Sequence, residues 1–244
     1  MGTVIGIFSA KGGVGKTILA TNLAVACGVG HRRKTGLIDL NPGLGTADLL
    51  LDLAPENSWG DLIPVIDELS AKHLKLAVSE YRPGVDLLAS PPEMTWKGSL
   101  TKKNLALLLE VFREEYDLIV LDTSPGSGSV SSAALSLADV RLIMITPDAP
   151  SLRATSRYLA DLSDKDKTTG LLINQQSSGS AITPDEIKEH LGVHLFGVFP
   201  IEAASVWANI SYGDPCVLRK SSKLGKVIRQ FTVRLLKMID QKGN

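Results

Sequence analysis

Two hydrophobic patterns take turns along the chain. Short runs that are apolar at nearly every position, residues 3–8, 35–38, 117–121, 141–145, 170–173 and 195–199, predict strands buried on both faces. Between them the apolar residues fall three or four apart. Residues 16–27 predict a helix with Ile18, Leu19, Leu23 and Ala26 on its buried face, and further helices are predicted over 129–137, 151–162, 184–191 and 203–209. Ser58 opens a helix, and Thr101 caps another that ends near Glu115. The turn Arg82-Pro83-Gly84 predicts flanking strands at 74–78 and 85–88. Strand and helix alternate without a long linker, internal repeat or low-complexity tract. The expectation is therefore an α/β fold in one domain over residues 1–244, with a mostly parallel central sheet and helices on both faces. Ligands of such sheets collect at the carboxyl ends of the strands.

The last stretch, 217–244, carries eight Lys/Arg against one acid, which alone suggests a membrane or nucleic-acid surface. Its apolar residues Leu224, Val227, Ile228, Phe231, Leu235, Met238 and Ile239 nevertheless form one stripe. That spacing favours a closing helix packed on the sheet with its basic side in water.

The first strand runs directly into Ser9-Ala10-Lys11-Gly12-Gly13-Val14-Gly15-Lys16-Thr17. Glycines at 12, 13 and 15 let successive backbone N–H groups turn inward around an anion, and the following helix adds its positive N-terminal end. Lys16 is placed to reach the β and γ phosphates, and the Thr17 hydroxyl to ligate Mg²⁺. Val14 and Ile18 complete the loop and its entry into the helix. Read strictly, the common pattern G-x-x-x-x-G-K-[ST] fails, because its first glycine falls on Ala10.

With that extra lysine the motif resembles the deviant Walker A of the MinD/ParA family of P-loop ATPases. The resemblance implies ATP/ADP and Mg²⁺ as cofactors and a homodimer formed on ATP, in which Lys11 reaches the nucleotide of the other subunit. It extends over nearly the whole chain. Leu37 to Pro42 resembles the switch I segment, usually D-x-D, with Asp39 implied at Mg²⁺; Asn41 stands where the family has an aspartate acting on the attacking water. An amide orients water but takes up no proton, so slow hydrolysis is expected. Asp117 to Gly126 resembles Walker B and switch II, with Asp122 implied near the metal. Asn174 resembles the base-reading asparagine, and Pro200, Ile201 and Glu202 the other wall of the base pocket.

The stretches 43–53 and 147–153 are more similar to the MinD, flagellar-number and pilus-assembly TadZ/CpaE branch than to plasmid-partitioning ParA. They imply a spatial or assembly switch with a protein partner in a polar or envelope-associated assembly, peripheral membrane contact being an option. A weakly hydrolytic ATP-dependent scaffold and a DNA-partitioning ATPase are the alternatives.

Composition removes several other classes. Lys+Arg and Asp+Glu both number 26, so no global field attracts nucleic acid or anionic lipid. Cys27 and Cys216 form no C-x-x-C pair, which argues against a disulfide framework or a cysteine-held metal cluster and for a cytoplasmic, reducing setting. The apolar runs are shorter than a membrane span, and the first one does not read as a signal peptide. The four histidines show no ligand spacing, and no G-x-S-x-G elbow is present.

Overall fold

A computed structural model describes residues 1–92, 100–162 and 167–242. Among these residues the strands β1 (Thr3–Phe8), β2 (Thr35–Leu40), β3 (Ser79–Arg82), β4 (Val85–Leu88), β5 (Leu118–Thr123), β6 (Val140–Ile145), β7 (Thr168–Gln176) and β8 (Leu195–Pro200) form one sheet in the order β3-β4-β2-β5-β1-β6-β7-β8. All neighbours are parallel except β3 and β4, joined by the predicted turn. The expected α/β architecture is what forms. Later strands extend the sheet to both sides of β1, so the loop leaving β1 emerges where the connections diverge.

Continuous apolar runs are explained by burial on both faces. In β1, Ile5 and Ile7 enter one core layer and Val4 and Phe8 the other; in β5, Leu118 and Val120 oppose Ile119 and Leu121 in the same way. The first layer is closed by α1 (Lys16–Val25) and by the C-terminal α9 (Lys223–Lys242). The second lies under α2 (Trp59–Leu62), α3 (Ala71–Ala77), α4 (Lys102–Glu115) and α5 (Ser129–Leu137). A smaller cluster packs α6 (Ala149–Ala160) and α7 (Pro184–Leu191) near β7, and α8 (Ala203–Tyr212) follows β8.

The caps match their chemistry. Ser58 and Asp61 form a reciprocal capping box on α2, and the Thr101 hydroxyl accepts from the Asn104 amide at the start of α4. Along α9, Leu224, Ile228, Phe231 and Leu235 are buried, with Val227, Met238 and Ile239 packed against the same layer. The predicted stripe thus belongs to the core and is not offered to a membrane. Among the described residues no helix is long and apolar enough to cross one.

Two sequence expectations are corrected. Residues 74–77 lie in α3, not in a strand: Leu74 and Ala77, three apart, are buried, while Leu76 faces solvent. Four mixed residues fit either period, and the helix wins because that spacing closes one face over the second layer. The helix after the glycine loop also stops short of Cys27 as an α-helix, since residues 26–30 widen into a π turn.

Candidate functional site

The loop from Ser9 to Gly15 joins β1 to α1 at the carboxyl end of the sheet. Gly15 precedes α1 at φ 94°, a left-handed conformation that side chains resist, and a Cβ there would meet the Asn174 amide nitrogen at 2.5 Å. The backbone conformation alone calls for glycine, and a larger residue would also push the Asn174 amide aside. Asn174 Nδ2 donates to the Val14 carbonyl at 2.8 Å, tying the end of β7 to the loop, while the Val14 side chain is buried in the core. Gly12 and Gly13 lie at the exposed rim of the loop, and Ile18 is in the first turn of α1.

Lys16 is buried, and its ammonium donates to Ser9 Oγ at 2.7 Å; Ser9 Oγ in turn donates to the Lys11 carbonyl at 2.7 Å. Desolvation lowers the pKa of Lys16, opposed by the negative charge of Asp122. The ammonium is thus held by a neutral hydroxyl, and the Asp122 charge only partly offsets its burial.

The register of β2 on β5 sets Asp39 beside Asp122. Asp39 Oδ2 accepts from the Thr46 and Ala47 amides at 3.1 and 3.2 Å, and Trp59 Nε1 donates to the Asp39 carbonyl at 2.9 Å. Thr17 Oγ1 donates to Asp122 Oδ2 at 2.7 Å. Burial raises the pKa of both carboxylates, and the neighbouring Asp39 charge pushes Asp122 further up. Asp122 Oδ1 is buried without a hydrogen-bond partner among the described residues.

These residues fit a hard divalent cation. Two carboxylates, one of them with an orphaned buried oxygen, and one hydroxyl converge beside the glycine loop, and oxygens of a bound anion would complete the shell. Among the described residues no group of three or more His, Cys, Asp and Glu gathers as a metal site, so a dedicated all-protein cage is not the pattern.

Asn41 lies between the acids. Its Nδ2 donates to Asp39 Oδ1 at 2.7 Å and to Asp122 Oδ2 at 3.0 Å, and its Oδ1 accepts from Ser124 Oγ at 3.0 Å. The amide thus holds two like charges together and links the segment after β2 to the segment after β5. Gly126, in the latter, donates its N–H to the Ser9 carbonyl at 2.8 Å, so its amide is committed to the loop in this state.

Lys11 does not hang free. Its ammonium lies 3.3 Å from Asp148 Oδ1, with the two side chains 46% and 39% exposed. Asp148 caps α6 through the Ser151 amide at 2.9 Å and also accepts from Thr146 Oγ1. Burial works upward on its pKa, but these donors and Lys11 outweigh it and hold the carboxyl below its ordinary value.

Beside the loop opens a cavity of about 310 Å³ whose walls include Gly15, Ile18, Asn174, Pro200 and Ile201. Glu202 also borders it, but its carboxylate turns away: it accepts from Ser222 Oγ and from the Lys223 and Leu224 amides at 2.7, 3.0 and 2.9 Å. Burial pushes this carboxyl up, yet the donors prevail and hold it at about 2. Glu202 thus holds the first amides of α9 alongside the N-cap residue Ser222, whose hydroxyl accepts from the Gly225 amide at 2.9 Å.

Sequence reasoning missed four participants. Ser9 and Ser124 are short polar residues next to motif positions and carry no distinguishing pattern. Gln175 lines the cavity with φ 59°, a left-handed conformation uncommon outside glycine. Trp207 lines it from α8 and was legible only as part of a helix.

A family model described as an AAA domain, AAA_31, matches residues 2–174. The chain belongs to that family, among the MinD/ParA ATPases. The septum site-determining protein MinD of Helicobacter pylori is 26% identical over 97% of this chain and 91% of its own length; that of Escherichia coli K12 is 28% identical over 97% and 92%. A ParA family ATPase from Chlorobium tepidum superposes with a TM-score of 0.87 at 23% identity, covering 96% of this chain and 98% of that one. MinD of Pyrococcus horikoshii, in complex with Mg-ADP, gives 0.84 at 21% identity, covering 98% of each. A MinC:MinD complex from Aquifex aeolicus gives 0.79 at 26% identity, covering 96% of each.

Proposed function

We propose that this MinD/ParA-family chain binds ATP with Mg²⁺ at the carboxyl end of the sheet, pairs with a second copy while ATP is bound, and serves as a slowly resetting switch. The observation that carries the reading is the convergence of Thr17, Asp39 and the orphaned Asp122 Oδ1 beside a glycine loop that opens a helix. The loop amides and the helix end bind the phosphates, and Lys16, held by Ser9, meets the β and γ oxygens. Thr17, Asp39 and Asp122 hold Mg²⁺, which when bound neutralises phosphate charge and orients the terminal group. Asn174, Pro200 and Ile201 receive the base, with Glu202 fixing that wall through α9.

Dimerisation asks Lys11 to leave Asp148 and cross to the partner nucleotide. An ion pair this exposed contributes about 0–1 kcal/mol, so its release is a small obstacle beside a triphosphate. Asn41 limits the reset. It hydrogen-bonds a water but accepts no proton from it, and this favours long-lived ATP-bound pairs. A scaffold with almost no turnover is the second reading, supported by the way the Asn41 amide is already engaged with both acids.

The relatives named for septum placement, and a MinD solved with MinC, support a role in positioning an assembly through a protein partner. By similarity of its 43–53 and 147–153 stretches, that assembly is a pilus, flagellar or division-site structure. The chain would work in the cytoplasm, at the inner face of the membrane when its partner is there. Sedimentation with ATP and with ADP, combined with phosphate release, tests the switch. ATP-specific pairing with slow release supports it, pairing without release favours the scaffold, and no pairing with either nucleotide refutes both.

A further inference from the structure

Helix α8 is built inside out for a surface helix. Its buried positions, Ser205 and Asn209, are polar, whereas Ala203, Val206, Trp207 and Ile210, spaced i, i+3, i+4 and i+7, form an apolar stripe along the cavity. Trp207 is 65% and Ile210 47% exposed. Hydrogen bonds account for the buried side: Asn209 Nδ2 donates to the Leu50 carbonyl at 2.9 Å, and its Oδ1 accepts from Asn22 Nδ2 at 2.8 Å. That pairing fixes the rotation of the helix and leaves the apolar stripe turned toward the cavity.

The cavity floor continues the same chemistry through Leu19, Met144, Phe199, Leu224 and Ile228. At its mouth are Gly15 and Ile18, which also belong to the phosphate loop and the first turn of α1. A ligand suited to this space has an anionic end for the loop, a flat apolar body and a polar edge for the Asn174 amide. A purine nucleotide has all three.

We propose that Trp207 is the stacking platform for the nucleobase and a determinant of nucleotide affinity. This rests on the nucleotide-binding reading above and adds a residue that no motif marks. The indole offers a broad π face, and stacking on an aromatic side chain tolerates either purine while binding the ring more tightly than an aliphatic wall. Because Trp207 is largely exposed and Asn209 anchors the helix, replacing it leaves the fold in place.

The test compares wild type, Trp207→Ala and Trp207→Phe by calorimetry with Mg-ADP and, separately, with Mg-tripolyphosphate, which has the phosphates but no base. The expected result is about a tenfold loss of ADP affinity in Trp207→Ala, most of it recovered in Trp207→Phe, with tripolyphosphate binding unchanged in both. Tryptophan emission should also fall as ADP is added to the wild type. ADP affinity in Trp207→Ala within twofold of wild type overturns the proposal, as does an equal loss for tripolyphosphate, which would mark a merely structural effect. If the wild type binds neither compound, the nucleotide reading fails and takes the proposal with it.

Discussion

Replacing Asn41 with aspartate probes the whole site. The side chain keeps its size but loses an NH2 group that donates at 2.7 and 3.0 Å to two buried carboxylates. A hydrogen bond to a charged partner contributes about 1.5–3 kcal/mol, and the new carboxylate adds repulsion in its place. A loss of at least about 2 kcal/mol is expected without metal, which for a domain of this size lowers the melting midpoint by roughly 4–8 °C. Mg²⁺ with ATP should offset most of that loss, because a cation attracts the third carboxylate that the apo site repels. The midpoint deficit should then shrink by more than half. Single-turnover phosphate release should rise on the order of 10²-fold, the usual scale for gaining a general base. Thermal melts with and without Mg-ATP, followed by rapid-quench turnover, give both readings. An Asn41→Asp variant that melts at or above wild type in metal-free buffer refutes the bridging role of the amide. Equal or slower phosphate release refutes the claim that residue 41 limits hydrolysis.

Three further outcomes are expected. Glu202→Gln should weaken the start of α9 by about 1 kcal/mol at neutral pH. Because the folded carboxyl sits at about 2 against an ordinary 4.5, its contribution is complete above 4.5 and fades as pH falls toward 2; denaturant melts of both proteins should therefore converge in that window, and a constant gap would count against those contacts. Lys11→Ala should abolish ATP-induced pairing in the ultracentrifuge while sparing ADP affinity of the monomer, and a mutant that still pairs on ATP removes the cross-subunit role. Phe231→Ala empties a fully buried position whose ring meets Phe199 edge-on at 5.5 Å, so chemical denaturation should report a loss of about 3–5 kcal/mol; a loss under 1 kcal/mol would mean α9 is not a core element.

Much of this molecule was legible without coordinates, and the reason is locality. The loop from Ser9 to Thr17 is nine consecutive residues whose conformation depends on its own glycines and on the strand and helix it joins. Runs such as 118–121 announce burial on both faces because no polar residue interrupts them, and the 3–4 spacing of α9 announces its single core face. Where a segment was short and mixed, as at 74–77, local pattern permitted two answers and packing over the second layer chose between them.

What brings distant residues together had to come from the tertiary structure. Asp39 and Asp122 are neighbours because β2 pairs with β5 in one particular register, and Asn41 becomes a bridge only once both acids flank it. Lys11 meets Asp148 across 137 positions of sequence, and Asn22 meets Asn209 across 187, the contact that turns the Trp207 face of α8 toward the cavity. Periodicity records which side of an element is buried but not which element it is buried against. Strand order and helix rotation are settled by closing one common core, and the shape and charge of the site follow from that closure.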